Sequence, residues 1–264
     1  MAEPTSYPEL NAVLAEFVAG VRAILDENFC GAYLQGSFAV GDADEHSDVD
    51  FIVVTHDEVS VEQQAALHAM HVRLYGLESH WAQHLEGSYV PKESLRQLDP
   101  VRRPYPYVDN GSTEVVLDNH CNTHVVRWSL REYGVRLAGP EPKSLVDPVP
   151  AEGLREELVA TLREYADWAP APTQAGGMSQ WKQTSLVLSF CRILHTLASG
   201  RVASKRASGE WALEALDPEW TSLVQRALDD RPDPWGRVHR PADPAVAERT
   251  LAFAEYAVAE ARAG

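Results

Sequence analysis

Cysteine is scarce in this sequence, and the three that occur, Cys30, Cys121 and Cys191, lie far apart. They form no CxxC pair, so we expect free buried thiols in a reducing compartment rather than disulfides or a zinc site. The sequence also lacks a basic and apolar leader, and it has no apolar run of about 18 residues. These absences predict a cytoplasmic protein that does not enter a membrane.

Basic residues are in the minority, with 23 Lys and Arg against 39 Asp and Glu and a formal net charge of -16. Such a chain has no broad electrostatic attraction for DNA or RNA, whereas a cationic small molecule would be drawn to it. We therefore expect a small-molecule partner. We also expect a monomer.

Two common catalytic motifs are missing. Without GxxxxGK[ST], a P-loop ATPase or an ordinary kinase is disfavoured, and HExxH is also absent. The histidine pairs His80–His84 and His120–His124 have the i, i+4 spacing of a zinc site, but no further Cys or His is near enough in sequence to complete one. We interpret these histidines as structural or surface residues.

The hydrophobic spacing predicts an α+β protein. Residues 8–29 and about 58–75 have helical periodicity, and 30–35, 49–55 and 80–91 have the composition of strands. Strand, turn, strand, helix and strand in this order predict a small mixed sheet with helices on one face.

A second, helical domain is predicted after a proline-rich segment. Prolines are dense in GPEPKSLVDPVP, so we place the boundary there, with domains at 1–145 and 146–264. The second domain contains a helix over 185–199 that Gly200 ends, and a last helix for which Asp243 is the N-cap.

The chemically informative segment is Gly36-Ser37, separated by ten residues from Asp48-Val49-Asp50. Asp48 and Asp50 are two apart on a predicted strand, so both carboxylates lie on one face, where they repel unless a cation sits between them. Mg²⁺ suits such oxygen ligands. Gly36 lets a triphosphate approach the backbone, and Ser37 begins a helix whose free N–H groups favour an anion. The pattern indicates phosphoryl or nucleotidyl transfer, although a DxD at a strand end can also be a solvated edge.

Glu86, on the predicted third strand, is the candidate for a third carboxylate. If the two strands are neighbours, it lies beside the aspartates. There it can bind a metal ion or take the proton of an attacking hydroxyl.

The stretch GAYLQGSFAVGDADEHSDVDFIVV resembles the GS…DxD signature of the polymerase-β-type nucleotidyltransferase superfamily. More narrowly, residues from about 25 to 215 are similar to the aminoglycoside adenylyltransferases that modify streptomycin and spectinomycin. The helical part of the resemblance rests on LVLSFCRILHTLASGRVASKRASGEWALEAL. It implies a nucleotidyltransferase domain followed by a helical domain, with ATP as co-substrate and Mg²⁺ as metal.

The resemblance also implies roles for individual residues. Asp48 and Asp50 match the magnesium positions, and Glu86 matches the general base; with Glu86 as third carboxylate, these three are the expected metal ligands. The positions assigned to ATP are Gly36, Ser37, Ser47, Arg192 and Lys205. Between Trp168 and Gly209 there are five Lys and Arg residues and no Asp or Glu, which supports a phosphate-binding role for Arg192 and Lys205. An ordinary solvated helix face is the alternative.

One position departs from the family pattern. Lys182 stands where the resemblance expects an acid that holds the cationic acceptor, and an ammonium there would repel that acceptor. Trp168 and Trp181 can stack on a sugar or can be core residues. Acids elsewhere, such as Glu78, Asp109 or Glu114, can supply the missing charge.

The sequence thus predicts transfer of AMP from ATP to a hydroxyl of a small molecule, with an aminoglycoside as the expected acceptor. Two other readings stay open at this stage. One is an AMP-transferase that modifies a protein, and the other is a regulator that binds a nucleotide without turnover.

Overall fold

A six-stranded mixed sheet forms the centre of the first part of the chain. The computed structural model describes residues 3–263. The strands are β1 (Phe29–Leu34), β2 (Val49–Thr55), β3 (Leu85–Pro91), β4 (Tyr105–Val108), β5 (Val115–Asp118) and β6 (Val135–Ala138). Their order is β5-β4-β3-β2-β1-β6, in which β2 and β3 are parallel and the other neighbours are antiparallel.

Helices cover both faces of this sheet. They are α1 (Pro8–Leu25), α2 (Gly36–Ala39), α3 (Val61–Tyr75), α4 (Lys92–Arg96), α5 (His124–Tyr133) and α6 (Pro142–Leu145). Val49, Phe51 and Val53 of β2 pack with α1 and α3, whereas Ile52 and Val54 pack with residues of α4, α5 and α6. The prediction of helices on one face was therefore wrong. A strand buried on both faces has a continuous apolar run, as residues 51–54 (FIVV) of β2 do.

The remaining helices form an all-α unit. They are α7 (Ala151–Trp168), α8 (Gln180–Ser199), α9 (Lys205–Ala215), α10 (Thr221–Asp229) and α11 (Pro244–Ala263). By their contacts, one unit takes in the chain up to Ala43 and then Ser47–Val149, and the other takes in Asp44–His46 and the chain from Pro150 onward. The predicted α+β class, with a mixed sheet followed by a helical region, is confirmed.

Local signals set several element ends. Gly200 follows α8 in the left-handed conformation, with φ +68°, and the Asp243 carboxylate accepts a hydrogen bond from the Ala245 amide at the start of α11. Both predicted caps are confirmed. The predicted strand over 80–91 was wrong in its first part, because His80–Gln83 forms a 3₁₀ turn. Trp81 of this turn packs in the core, which explains the apolar character that resembled a strand.

A buried histidine lies inside the first unit. His71 of α3 packs against Phe17 and Phe51, and its Nε2 is 2.7 Å from the hydroxyl of Tyr89. Burial, with a smaller contribution from His68, lowers the pKa of His71 to about 4. The side chain is therefore neutral in the folded protein at pH 7.

This histidine makes the stability of the fold dependent on pH. In the unfolded chain the pKa of His71 is about 6.5. Below that pH the unfolded state therefore binds a proton at this residue that the folded state does not bind. We expect its contribution to be intact above pH 6.5 and to fall by about 2 kcal/mol at pH 5. Urea unfolding at pH 7.5 and pH 5 measures this loss. His71→Gln should remove it, and His56→Gln, at an exposed position outside this helix, should not.

In the part of the chain that the structure describes, no helix is both long and apolar enough to span a membrane.

Candidate active site

Carboxylates from two adjacent parallel strands lie side by side where both strands begin. Asp50 of β2 and Glu86 of β3 are direct register partners. Their side chains lie on the face that also carries Ile52 and Val90, near the beginning of both strands. Asp48 precedes β2 by one residue, and its charge raises the pKa of Glu86, which places the two carboxylates within electrostatic reach. The parallel register thus brings together acids that are more than thirty residues apart in sequence.

Gly36 lies directly against the Asp50 carboxylate. The Gln35 amide donates a hydrogen bond to the Asp50 carbonyl at 2.9 Å, which holds the end of β1 beside β2. Gly36 then turns with φ +59°, a conformation that favours glycine. A Cβ on this residue would lie 2.0 Å from Asp50 Oδ2. The glycine therefore leaves the space that the carboxylate occupies.

The two predicted serines lie on either side of the loop between β1 and β2. Ser37 is half-buried in the single turn of α2, and its carbonyl accepts a hydrogen bond from the Asp42 amide at 3.1 Å. Ser47 is buried and comes directly before Asp48. Both serines are thus next to residues of the carboxylate site, and their contact with a nucleotide stays a prediction.

Glu86 has protein partners on one of its two carboxylate oxygens. The Tyr107 hydroxyl donates to Oε1 at 2.8 Å, and His120 Nε2 lies 3.3 Å from the same atom. Burial raises the pKa of Glu86, while His120 and the Tyr107 hydrogen bond lower it and the charges of Asp48 and Asp109 raise it further. The net rise makes this carboxylate a stronger base than an ordinary surface glutamate.

Tyr107 and His120 were missed as site residues by the sequence analysis. Tyr107 reaches the site because β4 pairs with β3, Ser88 being its register partner. His120, interpreted from sequence as structural or on the surface, is exposed but contacts Glu86. Neither residue lies in a motif, and only the strand pairing brings them to the carboxylates. Within residues 3–263 no three His, Cys, Asp or Glu side chains are grouped as a ready-made metal site.

Comparisons with known proteins give one domain match in each of the two units. Residues 20–101 match the model of the nucleotidyltransferase domain, and residues 144–254 match that of the aminoglycoside adenylyltransferase C-terminal domain. The two matches follow each other in the order expected from the resemblance. The chain is an aminoglycoside-adenylyltransferase-like nucleotidyltransferase.

Relatives of this family align over most of their length. The aminoglycoside (3'') (9) adenylyltransferase of Shigella flexneri is 24% identical over 83% of this chain and 84% of its own. The spectinomycin 9-adenylyltransferase of Campylobacter jejuni is 21% identical over 86% and 89%. A crystal structure of the spectinomycin adenyltransferase from Enterococcus faecialis, solved with ATP and spectinomycin, has a TM-score of 0.71 at 15% identity, covering 94% of this chain and 98% of that one. At this identity the structural likeness shows the fold.

The helical unit of this adenylyltransferase-like chain carries the two predicted phosphate ligands. Arg192 is half-buried on α8, and Lys205 is the first residue of α9. Helices α8 and α9 pack against each other. Contact of either cation with ATP stays a prediction.

Lys182, which departs from the family pattern, is committed to the protein's own backbone. Its side chain is 0% exposed, and Nζ donates to the carbonyls of Trp168 and Ala171 at 2.7 and 2.6 Å. Trp168 is the last residue of α7 and Ala171 lies just after it, so the ammonium sits at the helix C-terminus, where the helix dipole favours a cation. Burial lowers the pKa of this lysine. The ammonium therefore caps the C-terminus of α7 and the turn after it.

Trp168 is part of the same arrangement. It is 42% exposed, and Lys182 Nζ lies 3.9 Å from the centre of its ring. At this exposure Trp168 is not a core residue of the helical unit. One face of the indole makes a cation–π contact, which explains the conformation of a partly exposed tryptophan. Trp181 is half-buried.

Proposed function

We propose that this protein transfers AMP from ATP to a hydroxyl group of a small aminoglycoside-type molecule, such as streptomycin or spectinomycin, and releases pyrophosphate. The observation that carries the proposal is the pairing of Asp50 with Glu86 across β2 and β3, with Gly36 against the Asp50 carboxylate. The matches to both domain types of the family support it.

The carboxylates fit a divalent cation of the hard, oxygen-binding class. Asp48 and Asp50 are like-charged neighbours of Glu86, and a cation bound by the two aspartates would offset the repulsion among the three carboxylates. We assign Mg²⁺ to Asp48 and Asp50, and Glu86 to the proton transfer. When bound, Mg²⁺ supplies charge neutralisation on the triphosphate and orients the α-phosphorus.

Glu86 is the proposed general base. It takes the proton of the acceptor hydroxyl while the acceptor oxygen forms a bond to the α-phosphorus of ATP. The bond between that phosphorus and the oxygen bridging to the β-phosphate breaks, and its electrons leave with pyrophosphate. Arg192 and Lys205 are assigned to the charge that develops on this leaving group.

A cationic acceptor is compatible with Lys182. The sequence suggested that the Lys182 ammonium would repel a cationic acceptor. Its Nζ is instead buried and hydrogen-bonded to two carbonyls inside the helical unit. The net charge of -16 favours a cationic ligand over an anionic one. The proposal includes a monomeric cytoplasmic enzyme with no role for nucleic acid or membranes.

Pyrophosphate release from ATP and Mg²⁺, with streptomycin, spectinomycin and a panel of other aminoglycosides and sugars, tests the proposal. For Glu86→Gln we expect a fall in kcat of about 100-fold with ATP binding retained, because the amide cannot accept the proton. Glu93→Gln, at an exposed position just after β3, is the matched control and should leave kcat unchanged.

Three outcomes separate the alternatives. Turnover with an aminoglycoside that Glu86→Gln suppresses supports the proposal. Transfer of AMP only to a protein would show that the acceptor is a protein and not a small molecule. ATP binding with no turnover on any acceptor would indicate a regulator.

A further inference from the structure

Among the described residues, the two side chains that contact Glu86 do so at the same oxygen. Tyr107 donates its hydroxyl proton to Oε1 from β4, and His120 approaches Oε1 from the turn after β5. The two partners also support each other, since the rings of Tyr107 and His120 lie 5.3 Å apart between centroids at 33°. The carboxylate is thus held at one atom from two directions.

The Tyr107 hydroxyl has a second acid within reach, Asp109 Oδ1 at 3.0 Å. A phenol has one proton and can donate it to one acceptor at a time. Asp109 is exposed and can be satisfied by water, whereas the Glu86 side chain is only 14% exposed. An unsatisfied buried carboxylate is the costlier of the two, so the proton belongs on the shorter contact to Glu86.

We propose that Tyr107 and His120 are positioning residues, which hold Oε1 of Glu86 and thereby present Oε2 to the acceptor hydroxyl. This inference rests on the proposed function, because it assigns a role to Glu86 that only a transfer reaction uses. It adds two residues that belong to no sequence motif of the chain.

The effect on the reaction follows from geometry. A carboxylate without these contacts can rotate about its Cγ–Cδ bond and share its hydrogen bonds with water. When a general base is misplaced by about 1 Å, the rate of the reaction falls on the order of 100-fold. The affinity for a substrate that the base does not contact, such as ATP, changes little. The expected signature is a lower kcat with an unchanged KM for ATP.

Tyr107→Phe removes the hydroxyl and keeps the ring, and Tyr105→Phe is its matched control. Tyr105 lies two residues earlier on β4, is equally buried, and its hydroxyl has no hydrogen-bond partner among the described residues. We expect kcat for Mg²⁺-ATP with spectinomycin or streptomycin to fall by about 10- to 100-fold in Tyr107→Phe. Tyr105→Phe should keep the wild-type kcat. His120→Gln, at an exposed position, should lower kcat by less than about tenfold.

A double variant shows whether Tyr107 acts through Glu86. In the Glu86→Gln background, Tyr107→Phe should have no further effect on kcat. An equal kcat for Tyr107→Phe and Tyr105→Phe, or a full additional loss in the double variant, overturns the positioning role. If Glu86→Gln itself leaves turnover unchanged, the proposed base fails instead, so the two failures are distinguishable. Thermal unfolding of both tyrosine variants checks that the fold is intact.

Discussion

Gly36→Ala is expected to reduce turnover by about 1,000-fold or more, because a metal ion contributes several kcal/mol to such reactions and each 1.36 kcal/mol is a factor of ten. The new Cβ would lie 2.0 Å from Asp50 Oδ2, which is closer than any real contact. Either the carboxylate or the backbone of the turn must move. In both cases the geometry of the proposed metal site is lost.

The control for this prediction is Gly41→Ala. Gly41 also has a positive φ, +75°, but a Cβ there would meet nothing within 4 Å. Both variants carry the strain of alanine in the left-handed region, about 1 kcal/mol, and only Gly36→Ala displaces Asp50. Pyrophosphate release and urea unfolding measured on both variants separate the two effects. Equal activity in Gly36→Ala and Gly41→Ala would rule out the proposed role of the glycine.

Lys182→Glu is expected to destabilise the helical unit by about 3–5 kcal/mol, although it restores the acid that the family resemblance expects at this position. The carboxylate would be buried opposite the carbonyls of Trp168 and Ala171, which now accept hydrogen bonds from the ammonium. Two acceptors would lose their donor and a third acceptor would face them. Lys182→Met, which keeps the apolar stem, should cost less, about 1–3 kcal/mol for the unpaired carbonyls.

Urea unfolding of these variants measures the effect, and Lys143→Met provides the comparison. Lys143 is 61% exposed and pairs with Glu132 at the surface, so its loss should change the free energy of unfolding by at most about 1 kcal/mol. A Lys182→Glu protein as stable as the wild type would show that the ammonium is not needed to close α7. It would also restore the sequence-based view of Lys182 as a residue facing the acceptor.

Local patterns in the sequence were sufficient for the elements that carry the carboxylates. The strand predicted at 49–55 is β2, and the apolar face predicted for the first helix is buried throughout α1. Gly200 and Asp243 ended and began helices as expected. These features depend on periodicity and on cap chemistry, which act over a few residues and are therefore readable without the fold.

Other features of the site depend on which segments become neighbours. Strands β4 and β5 are four residues each, too short for a periodicity signal, yet their positions bring Tyr107 and His120 to Glu86. The burial of Lys182 at the start of α8 was not predicted, because its ammonium is accommodated only by carbonyls at the end of α7. Long-range pairing of this kind leaves no mark in the local sequence.

The sequence by itself determined the α+β class, the glycine and the carboxylates of the site, and the family to which they point. The cause is that close backbone approach and paired acids require particular residue types at fixed spacings. Only the tertiary structure decided that Asp50 faces Glu86 in register, that Tyr107 and His120 contact one oxygen of the proposed base, and that Lys182 is buried in the helical unit. Those outcomes depend on strand register and on the hydrogen bonding of buried polar groups. Both are established only in the folded chain.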